Sequence, residues 1–337
     1  MGYAIRMSAS VHAIDRLPRP RADAPPGAGA SIGDALASLK DARLDWRRRR
    51  AVPGDPVRFP SRAGLERIVE MLAAALYPRR LGQFRGDAAE EDAFVVAKLI
   101  AATGELEREI AAELGYWQEE ARGGTFDADQ PGLIVRLFSA TLGDVRRLVD
   151  SDVEAAFLGD PAARSVDEIL ICYPGATASL YHRIAHQLHG LGAPITARII
   201  SEIANARTGI DIHPGATIGA GFFIDHGTGV VIGETAIIGA RVRLYQHVTL
   251  GARTPIGDRR PGPVERHARH PIIEDDVVIY AGATILGRVT IGRGTTIGGN
   301  VWLLDDVPAG SIVVQPAARV AAAADAAAVR DALAGGG

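Results

Sequence analysis

The second half of the chain carries an aliphatic residue at every sixth position, in three successive series that begin at Ile212, Ile232 and Ile273. The members are Ile212, Ile218, Ile224 and Val230; Ile232, Ile238, Leu244 and Leu250; and Ile273, Ile279, Ile285, Ile291, Ile297 and Leu303. A period of six fits neither an α-helix nor an alternating strand. It is typical of a hexapeptide-repeat solenoid, a parallel β-helix with three short faces per coil, in which glycines allow the tight corners.

The pattern before residue 206 is helical instead. Apolar residues recur at helix-compatible spacings over 96–114 and 133–145, and Pro194 can open a last helix. Residues 1–30 carry scattered Arg and Pro and are expected to form a disordered leader. We therefore predict an α+β protein with an all-helical domain over 31–206, a left-handed parallel β-helix over 207–316 with an inserted loop at 252–270, and an alanine-rich tail over 317–337.

Composition narrows the range of functions. The 337 residues are 47% hydrophobic, enough to bury two cores, and the net charge of −3 gives no electrostatic footprint for nucleic acid. Cys172 is the only cysteine, so an intramolecular disulfide is impossible. The sequence shows no signal-peptide or membrane-spanning apolar run, and we expect a cytoplasmic protein that does not bind a membrane.

Two breaks interrupt the six-residue period. Ile224 and Ile232 are eight residues apart, so two residues are inserted within the segment 225–229, which reads DHGTG. The second break, between Leu250 and Ile273, is rich in Arg and Pro. Insertions in a solenoid form loops on one face, which is often the binding face, and a long loop is commonly a lid or a binding loop.

The breaks also hold the residues best suited to acyl transfer onto a hydroxyl group. That reaction needs a base, and among nine histidines His226 is the best candidate because it lies in the short insertion. Asp211 lies 15 residues earlier, close to one coil of about 18, so it could orient the imidazole ring. Asp225 could hold an ammonium group, and Arg269 could clamp a carboxylate.

Several motifs resemble those of the serine acetyltransferases, in particular the long bacterial form. In the β-helix they are GIDIHPGA at 209–216, FIDHGTGVVIGET at 223–235, RHP at 269–271 and YAGATILG at 280–287. In the preceding helical segment they are DPAA at 160–163, YPG at 173–175 and YHRIAH at 181–186. The resemblance covers about 150–316 and is far more specific than hexapeptide repeats alone, which occur in many acyltransferases.

The resemblance implies a serine O-acetyltransferase that uses acetyl-CoA, needs no metal and forms O-acetyl-L-serine for cysteine biosynthesis. His226 would be the general base and Asp211 its partner. The remaining implied site residues are Asp160 and Asp225 for the serine ammonium, Arg269 and His270 for its carboxylate, and Gly251, Ala252, Ala281 and Gly299 for CoA. It further implies a homotrimer or a dimer of trimers, with L-cysteine as feedback inhibitor in the serine site.

Two segments depart from the family pattern. The loop over 253–268 looks longer than in the short enterobacterial-type enzymes. The C-terminal segment departs from the usual Gly-Val-Pro-Ala run and ends in three glycines. In the short forms, a terminal isoleucine inserts into the active site of O-acetylserine sulfhydrylase. Because a glycine terminus offers no apolar side chain for such a pocket, we expect no tight complex with the sulfhydrylase.

Other interpretations remain open from the residues alone. A hexapeptide acyltransferase could act on a sugar or on another amino acid such as homoserine, with an acetyl or a succinyl donor. A zinc carbonic anhydrase on the same solenoid needs three histidines around one metal, but the histidines within the repeat are dispersed. A non-catalytic assembly subunit would not need the Asp211 and His226 pair. His182, His186 and His189 share a helix face, which we interpret as a polar face rather than a metal site.

Overall fold

The computed structural model describes residues 31–50, 58–120, 126–253 and 267–316. The predicted leader, the predicted tail and residues 254–266 of the predicted loop lie outside the described residues. The first half of the described chain is helical. Its helices are α1 (Ile32–Arg50), α2 (Arg62–Leu76), α3 (Ala88–Glu120), α4 (Gln130–Gly159), α5 (Val166–Cys172), α6 (Pro174–Gly190) and α7 (Pro194–Thr208).

Local sequence signals set the ends of these helices. The Ser61 side chain caps α2 by accepting the backbone N–H of Gly64, and a proline begins both α6 and α7. Helix α7 ends at Thr208 and is capped by Gly209, whose φ of 70° is in the left-handed region that glycine adopts without strain. The chain therefore turns directly from α7 into the β-helix.

The helices pack around a core that includes Phe138, Leu106 and Ile110, all fully buried. The apolar pattern over 96–114 and 133–145 also contains side chains that stay exposed, namely Val96, Leu133 and Leu137. These lie on the faces of α3 and α4 that no described part of this chain covers. Among the described residues, no helix combines the length and apolar character that a membrane span requires.

The second half forms short parallel strands that stack into three sheets. We name the sheets face A, face B and face C. Face A holds β1 (Asp211–Ile212), β4 (Val231–Ile232), β7 (Thr249–Gly251), β10 (Thr284–Leu286) and β13 (Trp302–Leu303). Face B holds β2 (Thr217–Ile218), β5 (Ile237–Ile238), β8 (Ile272–Ile273) and β11 (Thr290–Ile291). Face C holds β3 (Phe223–Ile224), β6 (Arg243–Leu244), β9 (Val278–Ile279), β12 (Thr296–Ile297) and β14 (Ile312–Val313).

The register explains the six-residue period. Within face A, Ile212 stands beside Ile232 and Ile232 beside Leu250, so each aliphatic residue of the series stacks on its counterpart one coil away. All members of the three series are buried except Leu303, which is partly buried and packs against the same core. The predicted fold class, helices followed by a hexapeptide-repeat β-helix, is confirmed.

The turns between faces define the edges of this three-sided prism. The C/A edge, between faces C and A, consists of residues 225–230, 245–248, 280–283 and 298–301. The A/B edge, between faces A and B, includes residues 213–216, 233–236 and 267–271. Face A separates these two edges. The short insertion lies on the C/A edge, and the long loop leaves the coil at the A/B edge.

Candidate active site

His226 stands at the tip of the short insertion, on the C/A edge. His226 has a φ of 58° and Gly227 a φ of 88°, so the two residues form a left-handed turn. The turn carries the imidazole outward, and 72% of the His226 side chain is exposed. A side chain at Gly227 would come within 2.5 Å of Ile210 Cδ1, so glycine is required there for space as well as for its φ. The insertion therefore exposes the His226 side chain to solvent, while the backbone turn that carries it is closely packed.

Asp225 lies beneath this histidine and is buried. Its Oδ2 accepts a hydrogen bond of 2.7 Å from Arg243 Nη2, whereas Oδ1 is 3.9 Å from His226 Nε2. The same guanidinium donates through Nη1 to the carbonyl oxygen of Gly159, also at 2.7 Å. One carboxylate oxygen is thus held by arginine, and the other faces the imidazole.

Asp160 joins this group from the end of α4. Its Oδ2 accepts a hydrogen bond of 2.6 Å from the Tyr173 hydroxyl, and its Oδ1 accepts the backbone N–H of Ala162 at 2.8 Å. The tyrosine hydrogen bond holds the pKa of Asp160 below its ordinary value, with smaller contributions from Arg243 and His226. The same bond raises the pKa of Tyr173 to about 12, so the hydroxyl stays protonated and donates. Asp160 is therefore an ionised carboxylate near His226.

The backbone of Asp211 lies close to this group, but its side chain points toward Arg198. The loop of His226 is bonded to the turn before β1, since the Gly229 N–H donates to the carbonyl of Gly209 at 2.8 Å. The Asp211 side chain is half-buried, and its Oδ1 lies 3.7 Å from Arg198 Nη2. Burial raises the pKa of Asp211, with Arg198 opposing. Among the described ion pairs, His226 lies within 4 Å of Asp225 and not of Asp211.

Arg269 and His270 lie on the other side of face A, at the A/B edge. Both backbone N–H groups donate to Thr235 Oγ1, at 2.9 and 3.1 Å, which fixes the point where the long loop rejoins the coil. Arg269 Nη2 pairs with Glu234 Oε2 at 2.9 Å. The Thr235 N–H donates to His270 Nδ1 at 3.1 Å, and this contact assigns the hydrogen of the neutral ring to Nε2.

The protonation of His270 follows from its surroundings. Burial lowers the pKa of His270, and the neighbouring Arg269 guanidinium lowers it further. His270 is therefore a neutral N–H donor beside a fixed positive charge. Together the two side chains offer the hydrogen-bond donors that a carboxylate accepts.

The residues predicted to bind CoA divide between the same two edges. Ala281 and Gly299 lie on consecutive turns of the C/A edge, where a side chain at Gly299 would come within 3.2 Å of the carbonyl oxygen of Ala281. Gly251 and Ala252 lie where β7 leaves face A for the A/B edge. A side chain at Gly251 would come within 2.8 Å of Leu286 Cδ2. Glycine at 251 and at 299 therefore leaves room for neighbouring atoms of the same chain.

Within one chain the structure brings Asp160, Asp225 and His226 together at the C/A edge and keeps Arg269 and His270 at the A/B edge. Sequence reasoning missed Tyr173 and Arg243 as members of the first group. Tyr173 lies within the quoted YPG motif, which gave a signal for it, whereas no motif marked Arg243. Among the described residues, no group of three or more His, Cys, Asp or Glu side chains is placed to hold a metal ion.

Comparison with known proteins identifies the family. Residues 270–305 match the family model described as bacterial transferase hexapeptide (six repeats). Over 263 residues the chain is 51% identical to a plasmid serine acetyltransferase of Synechococcus elongatus, covering 76% of this chain and 82% of that protein. It is 48% identical over 174 residues to the serine acetyltransferase of Bacillus licheniformis, covering 52% of this chain and 76% of that protein.

Solved structures give the same result. Serine acetyltransferase isoform 3 of Entamoeba histolytica, in complex with cysteine, superposes with a TM-score of 0.64 at 30% identity and covers 88% of this chain and 96% of that one. Serine acetyltransferase 1 of the same organism, in complex with L-cysteine, has a TM-score of 0.64 at 32% identity, with coverage of 78% and 90%. With the six-residue repeat, the grouped acids and histidine, and a relative half identical over most of its length, this chain belongs to the serine acetyltransferase family.

Proposed function

We propose that this protein is a cytoplasmic enzyme that transfers the acetyl group of acetyl-CoA to the hydroxyl of L-serine, giving O-acetyl-L-serine and CoA. The observation that carries the proposal is the exposed His226, held beside Asp160 and Asp225 in a chain that belongs to this family. A steady-state assay with L-serine and acetyl-CoA, in which release of the CoA thiol is followed, tests it. Activity with homoserine or a sugar but not with serine would contradict it.

The reaction requires one proton transfer in each direction. His226 takes the proton of the serine hydroxyl as its oxygen attacks the thioester carbonyl carbon. The tetrahedral intermediate then collapses, the carbon–sulfur bond breaks, and the imidazolium returns the proton to the departing CoA thiolate. Asp211 would orient the ring, which requires that its carboxylate leave Arg198, now 3.7 Å away. No covalent enzyme intermediate is needed.

Recognition of serine needs groups from both edges. Asp160 and Asp225 carry the negative charge that an ammonium needs, and Arg269 with His270 provides donors for a carboxylate. On the coil of β4, three residue steps from Val230 to Gly233 cross face A between the edges, roughly 10 Å at about 3.3 Å per residue, which exceeds the length of a serine molecule. We therefore infer that one chain supplies only half of each site.

We infer that the C/A edge of one copy meets the A/B edge of the next. Such a head-to-tail contact closes into a ring when the rotation between copies allows it, and we propose a ring of three copies. The residues predicted for CoA support this arrangement, because they divide between the same two edges and would face each other across the contact. Exposed apolar side chains on α3 and α4, including Val96 and Leu133, support a further pairing of trimers through the helices.

A mixing experiment tests the shared site. His226→Ala and Arg269→Ala chains, each nearly inactive when assayed alone at low serine, should regain activity when they are co-expressed with different tags and purified through both. Each mixed trimer has about one site in three with both native residues. Light scattering should give the mass of three chains or a multiple of three. Activity no greater than that of the separate variants would place the whole site within one chain.

Removal of the Arg269 side chain should affect the two substrates unequally. We expect Arg269→Ala to raise the KM for serine by about ten- to one-hundredfold while the KM for acetyl-CoA changes little, because the guanidinium fork matches a carboxylate. Arg269→Lys should recover little, since a single ammonium lacks the fork. Equal rises in both KM values would assign Arg269 to CoA or to the scaffold instead.

L-Cysteine fits the same site by its chemistry. The two Entamoeba histolytica structures are described as complexes with cysteine, which shares the ammonium and carboxylate groups of serine. We therefore propose that L-cysteine competes with serine in this protein, and we expect competitive inhibition in the assay above.

A further inference from the structure

Arg243 occupies an outward position of β6 on face C, directly beside the group that contains His226. Its neighbours in register are Phe223 on the preceding coil and Val278 on the following one. The side chain is largely covered, with 24% of it exposed, and it lies over two aromatic rings.

The aromatic rings fix the plane of the guanidinium. Its Cζ lies 4.8 Å from the ring centre of Phe223 and 4.7 Å from that of Tyr245. Tyr245 in turn stacks on Tyr280, with the ring centres 4.9 Å apart and the planes 11° from parallel. These contacts are favourable for arginine, whose flat and weakly hydrated cation stacks on aromatic faces. The guanidinium is therefore held in one place rather than sampling solvent.

Its terminal nitrogens join two separate parts of the fold. One donates to Asp225 Oδ2 in the insertion of the β-helix, and the other donates to the carbonyl of Gly159, the last residue of α4. Asp160 follows Gly159 directly. The planar guanidinium of Arg243 thus sets the position of the Asp225 carboxylate relative to the backbone that carries Asp160.

Charge supports the same interpretation. Asp160 and Asp225 together carry two negative charges, and the permanently charged Arg243 compensates one of them. The remaining negative charge equals the positive charge that one substrate ammonium brings. Because Arg243 occupies Asp225 Oδ2, the oxygen left for a ligand is Oδ1, which is the one nearest His226.

We propose that Arg243 is a positioning residue for the serine ammonium, which fixes Asp160 and Asp225 at the separation that the substrate requires and directs Asp225 Oδ1 toward it. This inference rests on the proposed function, because it assumes that the two carboxylates bind the ammonium of serine. It assigns a role in substrate binding to a residue that touches neither the substrate nor the reacting atoms.

The test compares Arg243→Met and Arg243→Lys with the native enzyme. We expect Arg243→Met to raise the KM for serine by about ten- to one-hundredfold, because a charge-assisted clamp is lost, and to change the KM for acetyl-CoA less than about twofold. Arg243→Lys keeps the charge but cannot reach both partners, so it should recover only part of the loss. Calorimetric titration with serine alone should show the same weakening without turnover.

Arg241→Met is the matched control. Arg241 lies two residues earlier and forms an exposed pair with Asp276, at 2.6 Å, away from the carboxylates. This variant should leave both KM values unchanged. If native enzyme neither binds nor acetylates serine, the proposed function fails and the inference fails with it. If native enzyme is active and Arg243→Met keeps the native KM for serine, or raises both KM values equally, only the role of Arg243 is overturned.

Discussion

Replacement of His226 by alanine should lower kcat by a factor of about 10²–10⁴, the usual contribution of a general base. The serine hydroxyl is a weak nucleophile, and without a base its proton must pass to water during the attack. His226 is exposed at the tip of its turn, so its ring can reach a substrate without movement of the coil. Steady-state rates at saturating serine and acetyl-CoA give the measurement.

Replacement of His226 by alanine needs a control for its effect on the backbone, because a φ of 58° lies in the left-handed region, which histidine adopts more readily than alanine. Arg241 has a φ of 54° at a turn between faces B and C, away from His226. Arg241→Ala therefore places alanine in the same backbone conformation without removing the base, and it should retain most of the activity. Asp211→Asn should cost less than His226→Ala, since Asp211 would only orient the ring. A His226→Ala enzyme with turnover near that of the native protein would refute the assignment.

The β-helix could be predicted from sequence in detail because its signal is local and repeated. Each inward position, such as Ile238 or Ile279, meets the same environment one coil after another, so the same residue type recurs at a fixed period. Because the pattern repeats from coil to coil, each position supports the assignment of the next one to the β-helix.

The helical half was harder to predict in its packing than in its secondary structure. The pattern indicated helices, and α7 does begin at Pro194. It did not separate Leu106, which is fully buried, from Leu137, which is 47% exposed, although both belong to apolar helical faces. Periodicity reports which face of a helix is apolar, and it does not report whether another part of the same chain covers that face.

The candidate site shows the same limit. Asp160 and Asp225 are 65 residues apart in the chain, and only the family resemblance connected them before the structure did. Arg243 carried no signal at all, because its importance arises from two contacts with distant segments, Asp225 and Gly159. The separation of Arg269 from His226 by face A was also invisible in the motifs, which record residue types and not the edge of the prism on which they lie.

A buried ion pair joins the helical half to the first coil of the β-helix. Asp152 of α4 and Arg183 of α6 are both almost fully buried, and Arg183 Nη2 lies 3.0 Å from Asp152 Oδ1. Arg183 also donates to the carbonyl oxygens of Ile218 and Gly219, and Asp152 Oδ1 accepts the Phe222 N–H at 2.8 Å. Burial raises the pKa of Asp152 to about 6, against the opposing effect of the guanidinium.

Breaking this pair should destabilise the fold strongly. Asp152→Ala leaves a buried guanidinium without its counter-charge, and we expect the free energy of unfolding to fall by about 3–5 kcal/mol. Arg183→Met should act similarly, and the double variant should lose less than the sum of the two, because no charge is then left buried and unpaired. Denaturant unfolding followed by circular dichroism measures these changes. Asp276→Ala, which breaks the exposed pair with Arg241, is the control and should have little effect. A loss below about 1 kcal/mol for Asp152→Ala would mean that the backbone contacts of the first coil, rather than this charge pair, hold the two halves together.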